Sequence, residues 1–335
     1  MGNACATDAD LPSLLAPMLQ LLWNALSVLT LVWVLYRFLF QLPRVNESED
    51  KQYLRGKTVW ITGASSGIGK ALAEYLRSIP NVRVILSSRS EASLQPVAES
   101  LRASGVKDVL VVPLDLVALA SDFRLAQAAF ARVPKEWGGV DILVHNGGCS
   151  MRGEVASVDL SVDRELIACN LLGAVSLTKA VLPSMIARGA GHIVAMSSIQ
   201  GKLPIAFRSS YAASKHAMHG YFHSLRYEVA SAGIQVHLIC PGYVQTNISM
   251  NARDAKGGAY GKMDATTAAG YDPRYVAAMT YAAVRTGAVE VILAPLVPRA
   301  AMMLDALAPA LLTWVMKKRT DKERKKMEAE EQKKE

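Results

Sequence analysis

The chain has 335 residues, 51% of them hydrophobic, and a formal net charge of +8, enough apolar sequence to bury one large core with appendages. Part of the positive excess sits in residues 317–335, where Lys and Arg outnumber Asp and Glu without interleaved aromatics. That pattern argues against a nucleic-acid surface and for a solvated, partly helical tail touching acidic lipid headgroups.

The first feature along the chain is a run from Leu11 to Tyr36 without a charged residue. About 20 apolar residues suffice to cross a hydrocarbon core as a helix, so the run predicts an uncleaved membrane anchor within residues 1–45. A cleaved leader fits poorly, because Asp8 and Asp10, not basic residues, precede the run. Trp33 and Tyr36 fall where interfacial aromatics belong, and Arg37, Arg44, Lys51 and Arg55 all follow the run. That bias predicts a single-pass protein with its body in the cytosol; the endoplasmic reticulum is the membrane expected, though the bias itself names no organelle. Gly2 and Cys5 in "MGNACA" suggest acylation, but Ala6 stands at the usual hydroxyl position, so lipidation is discounted. The cysteines Cys5, Cys149, Cys169 and Cys240 have no CxxC or metal-ligand spacing and read as reduced thiols.

A polar hinge, Asn46 to Gln52, then leads into alternating strand-like and helix-like segments. The predicted strands are Thr58–Thr62, Val82–Ser87, Val109 to Asp115, Val140 to Asn146, His192 to Ser198 and Ile234 to Gly242, with Val289 to Leu293 as an edge. Apolar strands separated by helices imply a parallel sheet covered on both faces: one α/β, Rossmann-type doubly wound domain over residues 51–295. Residues 296–335 read as a membrane-associated or mouth-covering amphipathic segment and a charged helical tail. Arg299, Asp305 and Pro309 interrupt the apolar part too often for it to span.

The stretch "TGASSGIG" places Gly63, Gly67 and Gly69 between the first strand and a helix beginning near Gly69. Such glycines let backbone approach a pyrophosphate seated on a helix N-terminus, with Ser65 and Ser66 as further donors. The second strand ends in "SSRS", with Arg89 where the adenosine ribose is read and no carboxylate before Glu91. A cation there suits a 2′-phosphate, which predicts NADPH/NADP+ as cofactor.

Tyr211 and Lys215 are four apart in "YAASK" and share a helical face. A phenol with pKa ~10 is a poor catalyst at neutral pH, and lowering it ~3 units takes ~4 kcal/mol of differential interaction. Lys215, aided by an oxidised nicotinamide, is expected to supply that. Ser198, thirteen residues upstream of Tyr211, can donate to a carbonyl oxygen while Tyr211 delivers the proton.

With these residues in hand, the chain from about Lys57 to Leu293 resembles the short-chain dehydrogenase/reductase family. The resemblance rests on Thr62 to Gly69 (including Ile68), the aspartate of "PLD", "HNGG", the serines before "YAASK", and "PGYVQT" (Pro241, Gly242, Val244, Thr246). It implies that Asp115 contacts adenine and Asn146 steadies the central sheet beside the cofactor. Asn170 would hold a water in a proton relay reaching Lys215, and Thr246 would bind the carboxamide side of nicotinamide. The apolar N-terminal run together with "YAASKHAM" most resembles an anchored branch, the dehydrogenase/reductase member 7 group, which implies a lipophilic substrate: a steroid, retinoid or other lipid carbonyl.

One departure from the family pattern is His145-Asn146-Gly147-Gly148 where Asn-Asn-Ala-Gly is usual. The missing alanine methyl is expected to loosen the wall near the cofactor. The complete set Asn170, Ser198, Tyr211 and Lys215 argues for an NADPH-dependent carbonyl reductase. It argues against a cofactor-sensing interaction module, and Arg89 argues against NAD-dependent oxidation of a lipid alcohol. His216, His219 and His223 share one helical face, but no carboxylate or cysteine lies nearby in sequence. The expectation is no metal, and a packed or homodimer-facing helix. Cys149, just past the cofactor loop, reads as an inert buried thiol, with a redox-sensitive thiol as the alternative. The substrate lid is expected in Asn247 to Asp272, with Met250, Tyr260, Met263 and Tyr271 as apolar contacts.

Overall fold

In a computed structural model the described residues are 11–40 and 42–331. Gly2 and Cys5, weighed above for acylation, and the side chain of Tyr36 lie outside what is described. The chain divides into two units, Met1–Leu42 and Pro43–Glu335.

Helix α1, Leu11–Phe40, forms the described part of the first unit. Its Leu15–Trp33 portion has a mean hydropathy of 1.6 and buries none of its side chains, so α1 is a candidate membrane span. Its hydroxyls are satisfied internally: Ser27 Oγ donates to Trp23 O and Thr30 Oγ1 to Leu26 O, both at 2.8 Å. Gln20 Nε2 likewise donates to Asn24 Oδ1 at 3.1 Å, and such internal pairing lowers the cost of entering hydrocarbon.

The second unit begins with α2, Glu47–Leu54, where the sequence suggested a hinge. Asn46 accepts from Glu49 N as the N-cap, and three acids in the first turn complement the helix dipole. Asp50 is fully buried on this helix, paired with Arg285 and accepting from Tyr75 OH at 3.3 Å. The segment is polar because it is a docked helix whose carboxylate has partners, not because it is a solvated linker.

The elements then follow as β1 (Thr58–Thr62), α3 (Gly67–Tyr75), β2 (Arg83–Ser87), α4 (Glu91–Ala103), β3 (Asp108–Val111), α5 (Leu116–Ser121) and α6 (Phe123–Ala131). Next come β4 (Ile142–His145), α7 (Leu160–Ile167), α8 (Gly173–Arg188), β5 (Gly191–Met196), α9 (Ser209–Val229) and β6 (Ile234–Pro241). The chain closes with α10 (Ala265–Ala268), α11 (Pro273–Thr286), β7 (Glu290–Leu293), α12 (Leu296–Leu307) and α13 (Pro309–Glu331). All seven strands pair in parallel, in the order β3-β2-β1-β4-β5-β6-β7.

Both faces of this sheet are covered, as the unbroken apolar strands demand. Trp60, Ile85, Leu143 and Ile193 pack with Ala126, Leu177 and Phe222 from α6, α8 and α9. Their strand neighbours Val59, Ile61, Val84 and Leu86 are also fully buried, while α3, α4 and α11 pack together. Strand order reverses between β1 and β4, and such a switch point opens a crevice at the carboxyl ends of the strands. The segment Leu160–Arg188 is also long and apolar, but 44% of it is buried. It is core.

Candidate active site

The crevice is a cleft of about 780 Å³. Its floor at one end is the turn between β1 and α3, where Gly63 (φ +65°) and Gly67 (φ +52°) take the left-handed backbone that side chains rarely adopt. Gly69 is required for space: a Cβ there would lie 2.1 Å from Gly63 O. Helix α3 starts at Gly67, two residues earlier than the sequence suggested, so the glycines form its first turn. Ser65, Ser66 and Ile68 line the cleft beside them.

Asn146, just past β4, stitches this turn to the sheet. Its Nδ2 donates to Thr62 O at 3.0 Å and Gly63 O at 3.2 Å, while its backbone N donates to Thr62 Oγ1 at 3.1 Å. The wall beside it is not loosened by Gly147. A methyl at that position would meet Leu116 Cδ1 at 2.7 Å, so the leucine already fills the space of the missing alanine carbon. Asp115 caps α5 by accepting from Val117 N at 2.9 Å and lines the cleft. Arg89 is exposed at the end of β2 and also lines it. At the opposite wall stand Pro241, Gly242, Val244 and Thr246, and the Thr246 methyl packs where a Cβ on Gly67 would be, at 2.9 Å.

Ser198, Tyr211 and Lys215 meet in the middle of the cleft, all buried. Ser198 follows β5 and holds its hydroxyl by accepting from Gln200 N at 3.1 Å. The Tyr211 phenol, carried by α9, lines the same cleft. Burial keeps that phenol above its ordinary pKa, against the opposing pull of Ser198, then Arg208 and Arg152. Lys215 Nζ donates to Met196 O at 2.8 Å and lies 5.8 Å from the Tyr211 ring centroid. Burial lowers the lysine's own pKa to about 8.

Asn170 sits in a single π-helical turn, residues 168–172, between α7 and α8, a feature often found at functional sites. Its amide is held on every side: Nδ2 donates to Cys149 O at 3.0 Å and Ser214 Oγ at 2.9 Å, and Oδ1 accepts from Cys149 N at 2.8 Å. Gly148 lies between it and the lysine, for a Cβ there would be 2.8 Å from Asn170 Oδ1 and 3.8 Å from Lys215 Nζ.

The sequence reading missed one charged group here. Arg152 and Arg208 both bind Asp264, at 2.6 and 3.0 Å, and both guanidinium groups face the cleft. Arg208 immediately precedes the stretch holding Tyr211 and Arg152 closely follows His145–Gly148, but neither belongs to a motif, and the 247–272 segment packed over the loop after β4 brings Asp264 to them both. That segment also places its apolar residues differently from expectation. Arg253 N donates to Ser150 O and Arg152 N to Arg253 O, both at 2.8 Å, which pins the segment by its backbone. Met250 and Met263 are left exposed, and Tyr260 stacks beside Arg152. Ile248, Asn251 and Thr267 reach the cleft instead of Met250, Tyr260, Met263 and Tyr271. The segment read from sequence as membrane-associated or mouth-covering contributes apolar lining: Val297, Ala301, Leu312, Val315 and Met316 from α12 and α13.

Of the three histidines on α9, His219 and His223 meet the Glu290 carboxylate from β7, at 3.6 and 3.3 Å. His216 turns away toward Ala212 O. Lys202 holds the other Glu290 oxygen at 2.8 Å and Arg226 contacts His223 Nδ1 at 2.7 Å. Two cations already placed on these groups oppose a bound dication, so the cluster reads as a charge network tying α9 to the sheet edge.

A family model described as short chain dehydrogenase matches residues 57–257. The chain is 43% identical over 285 residues to a dehydrogenase/reductase SDR family protein 7-like from Anopheles gambiae, covering 84% of this chain and 88% of that protein. Among solved structures, a short chain dehydrogenase/reductase from Burkholderia phymatum in complex with NAD aligns with a TM-score of 0.67 at 25% identity, covering 77% of this chain and 95% of that one. A metagenomic short-chain oxidoreductase in complex with NADP aligns with a TM-score of 0.59 at 28% identity, covering 72% and 98%.

Proposed function

The chain belongs to the short-chain dehydrogenase/reductase family, and from that premise we propose that it is a membrane-anchored, NADPH-dependent reductase of a lipophilic ketone or aldehyde. One observation carries the direction: a buried Tyr211 phenol, held protonated by burial in the cleft that Ser198 also lines. A proton donor must be protonated before the reaction, and burial ensures that here.

The glycine turn fits a dinucleotide, because it presents backbone and no side chain at the start of α3. Arg89 supports the 2′-phosphorylated form, as the cation at the end of β2 without a competing carboxylate. Asp115 and Thr246 would hold the adenine and carboxamide ends. When bound, the reduced nicotinamide supplies the hydride. Ser198 then donates to the substrate oxygen, and Tyr211 delivers the proton to it. Lys215 keeps a positive charge beside them, and Asn170 would hold the water through which that proton is replaced. The apolar wall from α12 and α13 supports a lipid carbonyl, such as a steroid or retinoid, and α1 supports an anchored enzyme. The basic residues that follow α1 favour a cytosolic body, in the endoplasmic reticulum membrane.

The test is turnover of a panel of lipid ketones and aldehydes by detergent-extracted protein, with NADPH and NADH compared. Activity with NADPH is expected, and Arg89→Asp should shift the kcat/KM ratio toward NADH by at least about tenfold. An unchanged ratio would show that Arg89 does not read the phosphate, and no turnover across the panel would remove the reductase reading.

A further inference from the structure

Five buried side-chain atoms have no hydrogen-bond partner among the described residues: Thr58 Oγ1, Arg77 Nε, His145 Nδ1, Ser176 Oγ and Gln200 Oε1. Of these five residues, Gln200 alone lines the cleft. It stands in the short helical turn Ile199–Gly201 directly after Ser198 and is 6% exposed. A folded chain seldom leaves an amide oxygen in that state, because nothing then offsets its loss of water. The side chains around it in sequence offer no remedy: Ile199, Leu203 and Ile205 are apolar and line the cleft with it. Gln200 N donates to Ser198 Oγ at 3.1 Å, which roots the amide side chain beside the hydroxyl that meets the substrate oxygen.

We propose that Gln200 is a specificity-determining residue whose amide binds a hydroxyl on a carbon next to the reacting carbonyl, so that the preferred substrate is a lipophilic hydroxy ketone. The proposal deepens the reductase reading and rests on it. A partner for the amide has to come from the occupant of the cleft. The partner's place is set by Ser198: the carbonyl oxygen is held there, and a side chain rooted two residues away reaches only the carbons nearest that oxygen.

A hydroxyl is the group that fits. It donates to Oε1 and accepts from Nε2, and rotation of the amide about its last bond presents either end. It is also neutral, which suits a turn whose other side chains are apolar. A plain methylene in its place would leave the amide unpaired, and a carboxylate would set its own lone pairs against Oε1. With the carbonyl oxygen held at Ser198 and Tyr211 and the hydroxyl at Gln200, the substrate has two polar points of attachment. Two points fix how the carbonyl lies where one leaves it free to turn.

The experiment uses full-length, detergent-extracted protein, NADPH, a long-chain methyl ketone and the hydroxymethyl ketone of the same chain length. Wild type is compared with Gln200→Met, which keeps the length of the side chain and removes the amide. Wild type should favour the hydroxymethyl ketone in kcat/KM by at least about tenfold, and the variant should bring that ratio to within about twofold of unity. Binding is read apart from turnover, as the rise in Tm that each ketone produces in the presence of NADP+. The hydroxymethyl ketone should give the larger rise in wild type, and the two rises should be equal in the variant. Without either ketone, Gln200→Met should melt at or above the wild-type temperature, since it removes an unpartnered amide from a buried place. The proposal is overturned if wild type shows no preference or the variant keeps it. It is also overturned if the variant alone melts more than about 3 °C lower, which would give the amide a partner within the fold. Weaker NADPH affinity in the variant would assign the amide to the cofactor and overturn it as well. If wild type reduces neither ketone, the reductase reading fails, while the Tm comparison still decides whether Gln200 reads the hydroxyl.

Discussion

A methyl group added at Gly69 would land 2.1 Å from the Gly63 carbonyl oxygen and 2.5 Å from Asn146 Nδ2. An unstrained contact of this kind is about 3.5 Å, so the turn and the start of α3 must separate by about 1 Å. The turn cannot simply yield, because Asn146 Nδ2 ties Thr62 O and Gly63 O to β4 at 3.0 and 3.2 Å. Overpacking of this sort costs about 1–3 kcal/mol, and losing the two hydrogen bonds adds about 0.5–1.5 kcal/mol each. Gly69→Ala should therefore destabilise by about 2–6 kcal/mol, a Tm drop of about 4–12 °C for a domain of this size. A misplacement of about 1 Å at the phosphate end should also weaken NADPH binding by roughly a hundredfold. Thermal denaturation and NADPH titration would be run beside Gly105→Ala. Gly105 has φ +94° but nothing within 4 Å of its missing Cβ, so that variant reports backbone strain alone. If Gly69→Ala keeps the wild-type Tm and affinity, the close approach of turn and helix is not what the glycine serves.

Two further outcomes follow from the buried charges. Asp50→Ala strips Arg285 of its fully buried partner and should cost about 3 kcal/mol, the low end for a broken buried pair, because Glu49 still binds Arg285 at 2.8 Å; chemical denaturation reads this directly, and a loss below about 0.5 kcal/mol would mean that α2 is not docked through Asp50. Lys215 has its pKa lowered to about 8 by burial, so it is charged below that value and neutral above it. Reductive kcat/KM should therefore fall as pH rises through about 8. Lys215→Arg, which stays charged, should abolish that decline even where it slows the reaction.

The strands and the glycine turn were legible because each is encoded by residues adjacent in sequence. Thr58–Thr62 reads as a strand from its own β-branched run, and Tyr211 and Lys215 share a face by helical spacing alone. Arg152, Arg208 and Asp264 could not be read this way. Their contact depends on the backbone pairing of Arg253 with Ser150, a long-range event with no local pattern. The charged run 46–52 misled for a related reason. A carboxylate such as Asp50 looks solvated until its partner Arg285 arrives from the far end of the domain. The burial of Tyr211 was likewise not legible, since it depends on what the rest of the domain places over the phenol.

The central claim is that Tyr211 is the proton donor in an NADPH-dependent carbonyl reduction. Its most direct test is Tyr211→Phe, assayed for NADPH oxidation on the lipid carbonyl that wild type turns over best and for NADPH affinity by titration. The ring stays in its packing place while the phenolic hydrogen is lost. Turnover should fall by about a thousandfold or more, with NADPH affinity within about twofold of wild type. Retention of more than a few per cent of wild-type turnover would contradict the account.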